Sequence, residues 1–244
     1  MVLLEVKNVA KSFGGIHAVD ECSFSVEEGT ITALIGPNGA GKTTMFNIIN
    51  GLHRADQGEI LFDGRNIEKL EPHQITRAGI SRTFQLSRQL SDMTVLENIV
   101  VQSPARGLRG LMKSAILGAE REKAMDLLEF VGIAQLANLP AGRLSYGQKK
   151  LMDIAAGMIA NPRMFLLDEP AGGINPALLD VIIDRVQQLR AQGVTIFIVE
   201  HNMDVVMSIC DPVIVMAYGK VLASGPPSAI QKNGEVLDAY LGVG

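Results

Sequence analysis

Apolar and polar residues alternate along the first thirty positions of the chain, as they do in strands that bury one face. Breaks at Gly14-Gly15 and Glu28-Gly29 divide this region into short extended runs. A second pair of runs lies around residues 58–62 and turns at Asp63-Gly64. The pattern predicts an antiparallel β lobe at the start of the chain. The apolar positions that share one face of this lobe are Leu4, Val6, Cys22, Phe24 and Val26.

Three other runs are apolar at nearly every position, which is typical of strands buried on both faces of a parallel sheet. They are Ile31–Ile35, residues 164–167 and residues 194–199. Helical patterns separate these runs, so the sequence predicts βα units and an α/β fold. Between residues 93 and 160 the periodicity is mostly helical, which predicts a helical lobe inserted into the sheet domain. The expected breaks in that lobe are near Pro104, Gly107, Gly110, Gly118 and Pro140.

A glycine-rich loop connects the first apolar run to a helical pattern at residues 45–49. Glycines allow a tight turn that points backbone N–H groups at phosphate oxygens, and the next helix directs its positive end at the same anion. Lys42 would then reach the outer phosphates, and the hydroxyl of Thr43 would ligate Mg²⁺. Since a strand and a helix flank the loop, triphosphate binding is favoured over a chance glycine turn. The loop residues are Gly36, Pro37, Asn38, Gly39, Ala40, Gly41, Lys42, Thr43 and Thr44.

The other two apolar runs also end in polar residues, Asp168-Glu169 and Glu200-His201. Ligands of open parallel sheets bind at the carboxyl ends of the strands, so these residues should converge on the phosphate loop. Asp168 is the expected second ligand of Mg²⁺, and Glu169 is placed to polarise an attacking water. A simple Asp-Glu-Pro turn is the structural alternative. His201 is expected at the terminal phosphate, against the alternative of a structural histidine.

The segment Leu144-Ser145-Tyr146-Gly147-Gln148 opens a long helical pattern. Ser145 is suited to be the N-cap of that helix. A serine hydroxyl and a glycine N–H at a helix start can equally form a second anion site. Spacing alone leaves both interpretations open.

Composition and charge indicate a folded core and argue against several classes of function. A chain of 244 residues with 47% hydrophobic residues can bury a large core. The net charge of −4 argues against broad binding of nucleic acid, which relies on many basic residues. Cys22 and Cys210 indicate neither a disulfide framework nor a zinc site, and core packing is expected for both. We expect no signal peptide, because residues 1–7 carry a charge where the apolar centre of one would lie. We also expect no membrane span, because no apolar run approaches roughly 18 residues.

These motifs, in this order, resemble those of the ATP-binding subunits of ABC transporters, and the resemblance spans essentially the whole chain. The Ser-x-Gly-Gln helix start is its most specific element, because many ATPases share the other motifs. The resemblance implies an α/β P-loop NTPase (RecA-like) core with an N-terminal antiparallel β lobe and an inserted α-helical signature lobe. It implies one ABC ATPase domain over residues 1–244. Residues 1–85 and 161–244 would form the nucleotide-binding core with the β lobe, and residues 86–160 the helical lobe.

The resemblance also implies roles for individual residues. Phe13 would stack on the adenine of ATP, and Gln85 would contact Mg²⁺ and the attacking water. Glu169 would be the general base, and His201 would hold the terminal phosphate. Two ATP molecules would be sandwiched in a head-to-tail dimer, in which each ATP also meets the signature residues of the facing subunit. Those signature residues are Ser145, Gly147 and Gln148.

Three positions depart from the usual family pattern. Tyr146 replaces the first glycine of the signature, and Asn175 stands where an aspartate is usual, which removes a charge expected to couple the two sites. Phe13 replaces the more usual tyrosine and keeps its stacking face.

A basic and apolar segment at residues 104–118 contains Arg106, Arg109 and Lys113 at helical spacing. It could lie against lipid or a membrane subunit, but a solvated face is favoured.

Within the family, the pattern is most similar to the ATPase subunits of branched-chain amino acid importers. The matching segments include Arg82-Thr83-Phe84-Gln85, Glu200-His201-Asn202-Met203 and Ala239-Tyr240-Leu241-Gly242. The resemblance implies ATP and Mg²⁺, a second ATPase subunit, membrane permease subunits and, indirectly, a solute-binding protein. It places the chain at the cytoplasmic face of the membrane as a peripheral subunit.

Other functions remain as alternatives to import of amino acids. Importers of urea or other amides and exporters of lipid or lipopolysaccharide share these motifs. A soluble ABC ATPase acting on ribosomes or DNA is less favoured, since the chain has neither tandem cassettes nor long coiled coils. A nucleotide kinase would leave the signature helix without a role.

Overall fold

The computed structural model describes residues 1–83, 90–103 and 118–241, and these form an α/β fold with two sheets. The strands of the described residues are β1 (Val2–Phe13), β2 (Ile16–Glu27), β3 (Ile31–Ile35), β4 (Gln57–Phe62), β5 (Arg65–Asn66), β6 (Ile80–Arg82), β7 (Met164–Asp168), β8 (Thr195–Val199), β9 (Val213–Ala217) and β10 (Lys220–Gly225). The α-helices of the same residues are α1 (Lys42–Ile49), α2 (Pro72–Ala78), α3 (Val95–Val100), α4 (Gly118–Phe130), α5 (Tyr146–Met158), α6 (Pro176–Ala191), α7 (Met203–Ile209), α8 (Pro227–Ile230) and α9 (Gly234–Leu241).

The first sheet is the antiparallel β lobe, with strand order β2-β1-β4-β5. Its register pairs Leu4 with Val26 and Val6 with Phe24, so the alternating apolar residues fall on one face. Leu4 also lies opposite Phe62 of β4. This arrangement confirms the antiparallel lobe that the alternation predicts.

The second sheet has the order β10-β9-β3-β8-β7-β6, with β10 antiparallel and the other strands parallel. The three predicted core strands are confirmed as β3, β7 and β8, and every residue of each is buried. The apolar pattern did not predict three further strands of this sheet. They are β6, β9 and β10.

Successive residues of the central strands pack into different cores. In β7, Met164 and Leu166 face the core shared with the β lobe and α1, whereas Phe165 and Leu167 face the core shared with the helices. A sheet covered on both faces explains why its strands are apolar at consecutive positions. The β lobe therefore covers one face of the sheet, and helices cover the other.

Helices α3, α4 and α5 pack against one another within the described part of the predicted helical region. Short 3₁₀ turns at Ala134–Leu136 and Ala141–Arg143 lie between α4 and α5. The described part of α4 begins at Gly118, and the expected break at this residue stays a prediction. Residues 104–117 of the basic and apolar segment lie outside the described part of the chain.

Both cysteine side chains are buried in the cores, as expected. In the described ranges, none of the helices combines the length and the apolar character that crossing a bilayer requires.

Candidate functional site

The carboxyl ends of β3, β7 and β8 open onto one cleft of about 340 Å³. The phosphate loop that follows β3 forms one wall, and residues that follow β7 and β8 form another. Part of β2 closes the side. The lining residues are Ile16, His17, Ala18, Asn38, Gly39, Ala40, Gly41, Lys42, Thr43, Thr44, Glu169 and His201.

Neighbouring backbone atoms leave room only for glycine at two positions of the phosphate loop. A Cβ on Gly36 would lie 2.0 Å from the carbonyl oxygen of Met216, and one on Gly41 would lie 2.2 Å from that of Ala18. Both glycines also have positive φ angles, 149° and 98°, which other residues rarely adopt. The loop is therefore held between β9 and β2, a constraint that the sequence motif does not reveal.

Lys42, the first residue of α1, folds over the loop that precedes it. Its Nζ donates to the carbonyl oxygens of Gly36 at 2.6 Å and Pro37 at 2.9 Å. Burial lowers the pKa of Lys42, and the negative charge of Glu169 partly opposes this effect. Lys42 thus presents a partly desolvated cation at the base of the cleft, which suits it to bind phosphate oxygens.

Asp168 ends β7 in a buried polar cluster. Its Oδ2 accepts a hydrogen bond of 2.8 Å from Nη2 of Arg82, and Nη1 of the same arginine donates to Oδ1 of Asn47 at 2.7 Å. The backbone N–H of Asp168 donates to Oγ1 of Thr83 at 3.2 Å. These contacts fix the carboxylate at the end of the strand.

The second oxygen of Asp168, Oδ1, is buried, and none of the described groups donates a hydrogen bond to it. Buried carboxylate oxygens normally have a partner, so this atom fits a cation ligand. The hydroxyl-bearing Thr43 is exposed in the cleft. Mg²⁺ usually combines one or two protein oxygens with water and substrate phosphates, and these residues fit that requirement.

Glu169 and His201 meet across the cleft wall. Nε2 of His201 lies 2.7 Å from Oε1 of Glu169, and both side chains remain partly exposed. Glu169 has a φ of 49°, in the left-handed region that non-glycine residues rarely adopt. Its N–H donates to Val199 at 2.9 Å, and its carbonyl accepts from Nζ of Lys150 at 2.8 Å. Such backbone strain is typical of functional positions that their surroundings hold in place.

The signature residues form the N-terminus of α5. Ser145 and Gln148 make a capping box, in which Oγ of Ser145 accepts from the N–H of Gln148 and Oε1 of Gln148 accepts from the N–H of Ser145. Gly147 lies so close to α6 that a Cβ there would be 2.1 Å from Cδ2 of Leu178. None of the three signature residues lines the cleft around Lys42. One chain therefore does not bring its own signature and phosphate loop together.

Asn175 has a local structural role at the start of α6. Its Oδ1 accepts a hydrogen bond of 2.9 Å from the N–H of Leu178, and Pro176 follows as the first helical residue. Asparagine and aspartate are equally good N-caps, so the departure from the usual aspartate preserves this contact.

Phe13 ends β1 opposite Ile16, which lines the cleft. The ring of Phe13 is 43% exposed and meets His53 edge-on at 5.3 Å between centroids. Nζ of Lys11 lies 5.4 Å from the same centroid. Phe13 itself does not line the phosphate cleft. Gln85, the remaining predicted site residue, lies outside the described residues.

Three residues near the site had no role assigned from the sequence. Arg82 pairs with Asp168, Lys150 contacts the backbone of Glu169, and Glu200 accepts hydrogen bonds from the loops that follow Glu169 and β8. No sequence pattern marked Arg82, because β6 has only three residues and its partner Asp168 lies 86 positions further along the chain. The contacts of Lys150 and Glu200 join segments that are distant in sequence.

A phosphate loop after β3, an acidic end of β7 and a helical region opposite the β lobe define a P-loop nucleoside triphosphatase. The sequence profile of the family described as ABC transporter matches residues 19–172. The chain belongs to this family, as an ATP-binding cassette that hydrolyses ATP.

Relatives match the chain over nearly its full length. The probable branched-chain amino acid transport ATP-binding protein LivG of Archaeoglobus fulgidus is 40% identical, over 99% of this chain and 96% of the relative. The high-affinity branched-chain amino acid transport ATP-binding protein BraF of Pseudomonas aeruginosa is also 40% identical, over 98% of each chain.

Solved structures share the fold. An ATP-binding cassette of an ABC transporter in its ADP conformation has a TM-score of 0.90 and 37% identity, over 99% of each chain. A dimeric bacterial ABC transporter cassette has a TM-score of 0.81 and 26% identity, over 92% of this chain and 99% of that chain.

Proposed function

We propose that this protein is the ATPase subunit of an importer of branched-chain or related amino acids. The observation that carries the proposal is the convergence of Lys42, Glu169 and His201 on one cleft, in a chain that matches transport ATPases from end to end. The two relatives reported above are named for transport of branched-chain amino acids. Their names favour this substrate class over the urea, amide and lipid alternatives.

The phosphate loop binds the triphosphate of ATP. Lys42 exchanges its contacts with Gly36 and Pro37 for the outer phosphate oxygens, because a phosphate is a stronger acceptor than a carbonyl. Thr43 and Asp168, with Gln85, are the residues that would hold Mg²⁺. When bound, Mg²⁺ supplies positive charge that offsets the charge on the phosphates.

Glu169 is the general base in this proposal. Its carboxylate orients an attacking water and accepts a proton from it, while His201 holds the terminal phosphate. The contact of 2.7 Å between the two side chains supports a shared task, since it keeps both at the same wall of the cleft. Phe13 supports the adenine from the edge of the β lobe.

Two cassettes complete the site. Ser145, Gly147 and Gln148 do not line the chain's own cleft, which supports the view that they contact ATP on the facing subunit. ATP then joins the two subunits, and its hydrolysis separates them. This cycle of closure and opening is the motion that drives the membrane partner.

A second cleft, of about 170 Å³, provides a docking site for the permease. It lies between α2, β6 and the end of α5, where the core meets the helical lobe of residues 86–160. A cytoplasmic helix of the permease occupies this cleft, which places the chain at the cytoplasmic face of the membrane as a peripheral subunit. A solute-binding protein takes part indirectly, through the permease. The lining residues are Asn50, Pro72, His73, Thr76, Ser81, Arg82, Gln102, Ala156, Gly157 and Ala160.

Turnover by the variant Glu169→Gln tests the assignment of the base. The variant should bind ATP with wild-type affinity, and its phosphate release should fall about 10²- to 10⁴-fold, the usual contribution of a general base. Glu129→Gln, at an exposed helical position, is the matched control. Wild-type phosphate release by Glu169→Gln would contradict the proposed site.

Uptake tests the substrate. Vesicles that contain the chain with its co-purified membrane subunits should accumulate radiolabelled leucine when ATP is supplied on the cassette side. Uptake of urea instead, or export of lipid, would assign one of the alternative functions.

A further inference from the structure

Glu200 is a buried carboxylate directly after β8. Only 2% of its surface is exposed. Its two oxygens accept three hydrogen bonds from backbone N–H groups, those of Ala171 at 2.7 Å, His201 at 2.9 Å and Asn202 at 3.1 Å. A buried carboxylate with this many backbone donors is held firmly and holds its donors in turn.

The three donors belong to two separate segments of the chain. Ala171 lies two residues after Glu169, in the loop that leads from β7 to α6. His201 and Asn202 lie between β8 and α7. Oε1 of Glu200 accepts from the first segment, and Oε2 accepts from the second. One side chain therefore fixes the distance between the two segments.

The same two segments carry Glu169 and His201, which lie on one wall of the cleft. Glu169 comes from the first segment and His201 from the second, and their 2.7 Å contact joins the two segments. Further contacts anchor both segments beyond the carboxylate, because Asn202 caps α7 and the N–H of Glu169 donates to Val199. A shift between the segments would separate Glu169 from His201.

We propose that Glu200 is a positioning residue for ATP hydrolysis, which sets the geometry of the Glu169–His201 pair without contacting the nucleotide. This inference rests on the proposed roles of Glu169 and His201. It assigns to Glu200 an effect on the chemical step and not on binding, since Glu200 makes no contact with the phosphate loop.

The substitution Glu200→Gln removes the hydrogen bonds of one side-chain oxygen and keeps those of the other, with little change in the shape of the side chain. A glutamine side chain has one acceptor oxygen and one NH₂ donor. If the glutamine oxygen faces Ala171, its NH₂ group faces the N–H groups of His201 and Asn202 and cannot accept from them. In the reverse orientation, the N–H of Ala171 has no acceptor. Either orientation holds only one segment.

The experiment measures steady-state ATP hydrolysis by the full-length chain with Mg²⁺. For Glu200→Gln we expect kcat to fall about 10- to 100-fold, as misplacement of catalytic groups does, with KM for ATP within about threefold of wild type. Glu200→Asp keeps the charge but is one methylene shorter, so we expect an intermediate kcat. Asp204→Asn removes an exposed carboxylate from the next helix and should leave both constants unchanged.

A double-variant cycle distinguishes positioning from general loss of structure. Because Glu200 acts through the pair, Glu200→Gln should reduce kcat by less than about threefold when His201→Ala is already present. Equal fold losses in the two backgrounds would overturn the proposal, and so would a wild-type kcat for Glu200→Gln. If Glu200→Gln does not fold, Glu200→Asp takes its place with the same criteria.

Failure of this inference can be told apart from failure of the proposed site. Wild-type turnover by Glu169→Gln would remove the basis of both. Loss of turnover in Glu169→Gln together with wild-type kcat in Glu200→Gln and Glu200→Asp would reject the positioning role alone.

Discussion

Arg82 and Asp168 form an ion pair inside the protein, with 2.8 Å between Nη2 and Oδ2 and side chains that are 4% and 2% exposed. The pair joins the end of β6 to the end of β7. Arg82 also lines the cleft proposed for the permease, so one side chain borders both that cleft and the proposed Mg²⁺ ligand.

Arg82→Met should destabilise the protein strongly. Removal of one partner leaves a buried charge uncompensated, which costs about 3–5 kcal/mol. Asp168→Asn in the same background removes that charge and should recover part of the loss. Urea unfolding measures both effects.

Arg163→Met is the matched control. Arg163 also pairs with carboxylates, Glu28 and Asp63, but at the surface. Exposed pairs contribute about 0.2–1 kcal/mol each, so this variant should lose much less stability. Equal losses for Arg82→Met and Arg163→Met would show that burial does not set the strength of the Arg82 pair.

Lys42→Ala should weaken ATP binding about 10- to 100-fold, which corresponds to the loss of a hydrogen bond to a charged group. The measurement is titration with a fluorescent ATP analogue. Lys69→Ala, an exposed lysine in the β lobe region, should bind with wild-type affinity. Unchanged affinity in Lys42→Ala would argue against phosphate binding by this loop.

Gly157→Ala should lower the free energy of unfolding by about 1–3 kcal/mol, because overpacking strains a close-packed core. A Cβ at this position would lie 2.4 Å and 2.5 Å from ring atoms of Phe165, which is fully buried. Phe165→Leu should relieve part of the strain. Gly234→Ala, where a Cβ meets open space, should show no such loss in a thermal melt.

The two cysteines should resist thiol reagents in the folded protein. Burial raises the pKa of Cys22 to about 11 and that of Cys210 to about 12, so both remain protonated thiols at pH 8. The thiolate is the reactive form. A colorimetric thiol assay should therefore detect neither cysteine before denaturant is added and both afterwards. Rapid labelling of the native protein would contradict this.

Local sequence patterns were sufficient for much of the fold. Consecutive apolar residues predicted β3, β7 and β8, since a strand covered on both faces favours apolar side chains at successive positions. The pattern did not predict β6, which has three residues and ends in Arg82. A charged residue is accepted there because Asp168, 86 positions later, compensates it.

The candidate site was predictable where it depends on a contiguous motif. The motif from Gly36 to Thr44 predicted the loop after β3, and the apolar runs predicted that Glu169 and His201 would lie beside it. The roles of these residues stay predictions. The sequence could not reveal that Glu200 spans two loops, because that contact depends on how β7 and β8 align side by side. The backbone at Met216 and Ala18, which requires glycine at two loop positions, was equally hidden.

The sequence by itself determined the chemistry that this protein carries and the strands that present it, because glycine loops, apolar runs and helix caps act over a few residues. The tertiary structure alone decided which distant residues hold that chemistry in place. Arg82 with Asp168, Glu169 with His201, and Glu200 with Ala171 meet only after the parallel sheet aligns its strands. Such pairs depend on hydrogen bonds shorter than about 3.2 Å, a range that no spacing along the chain can fix.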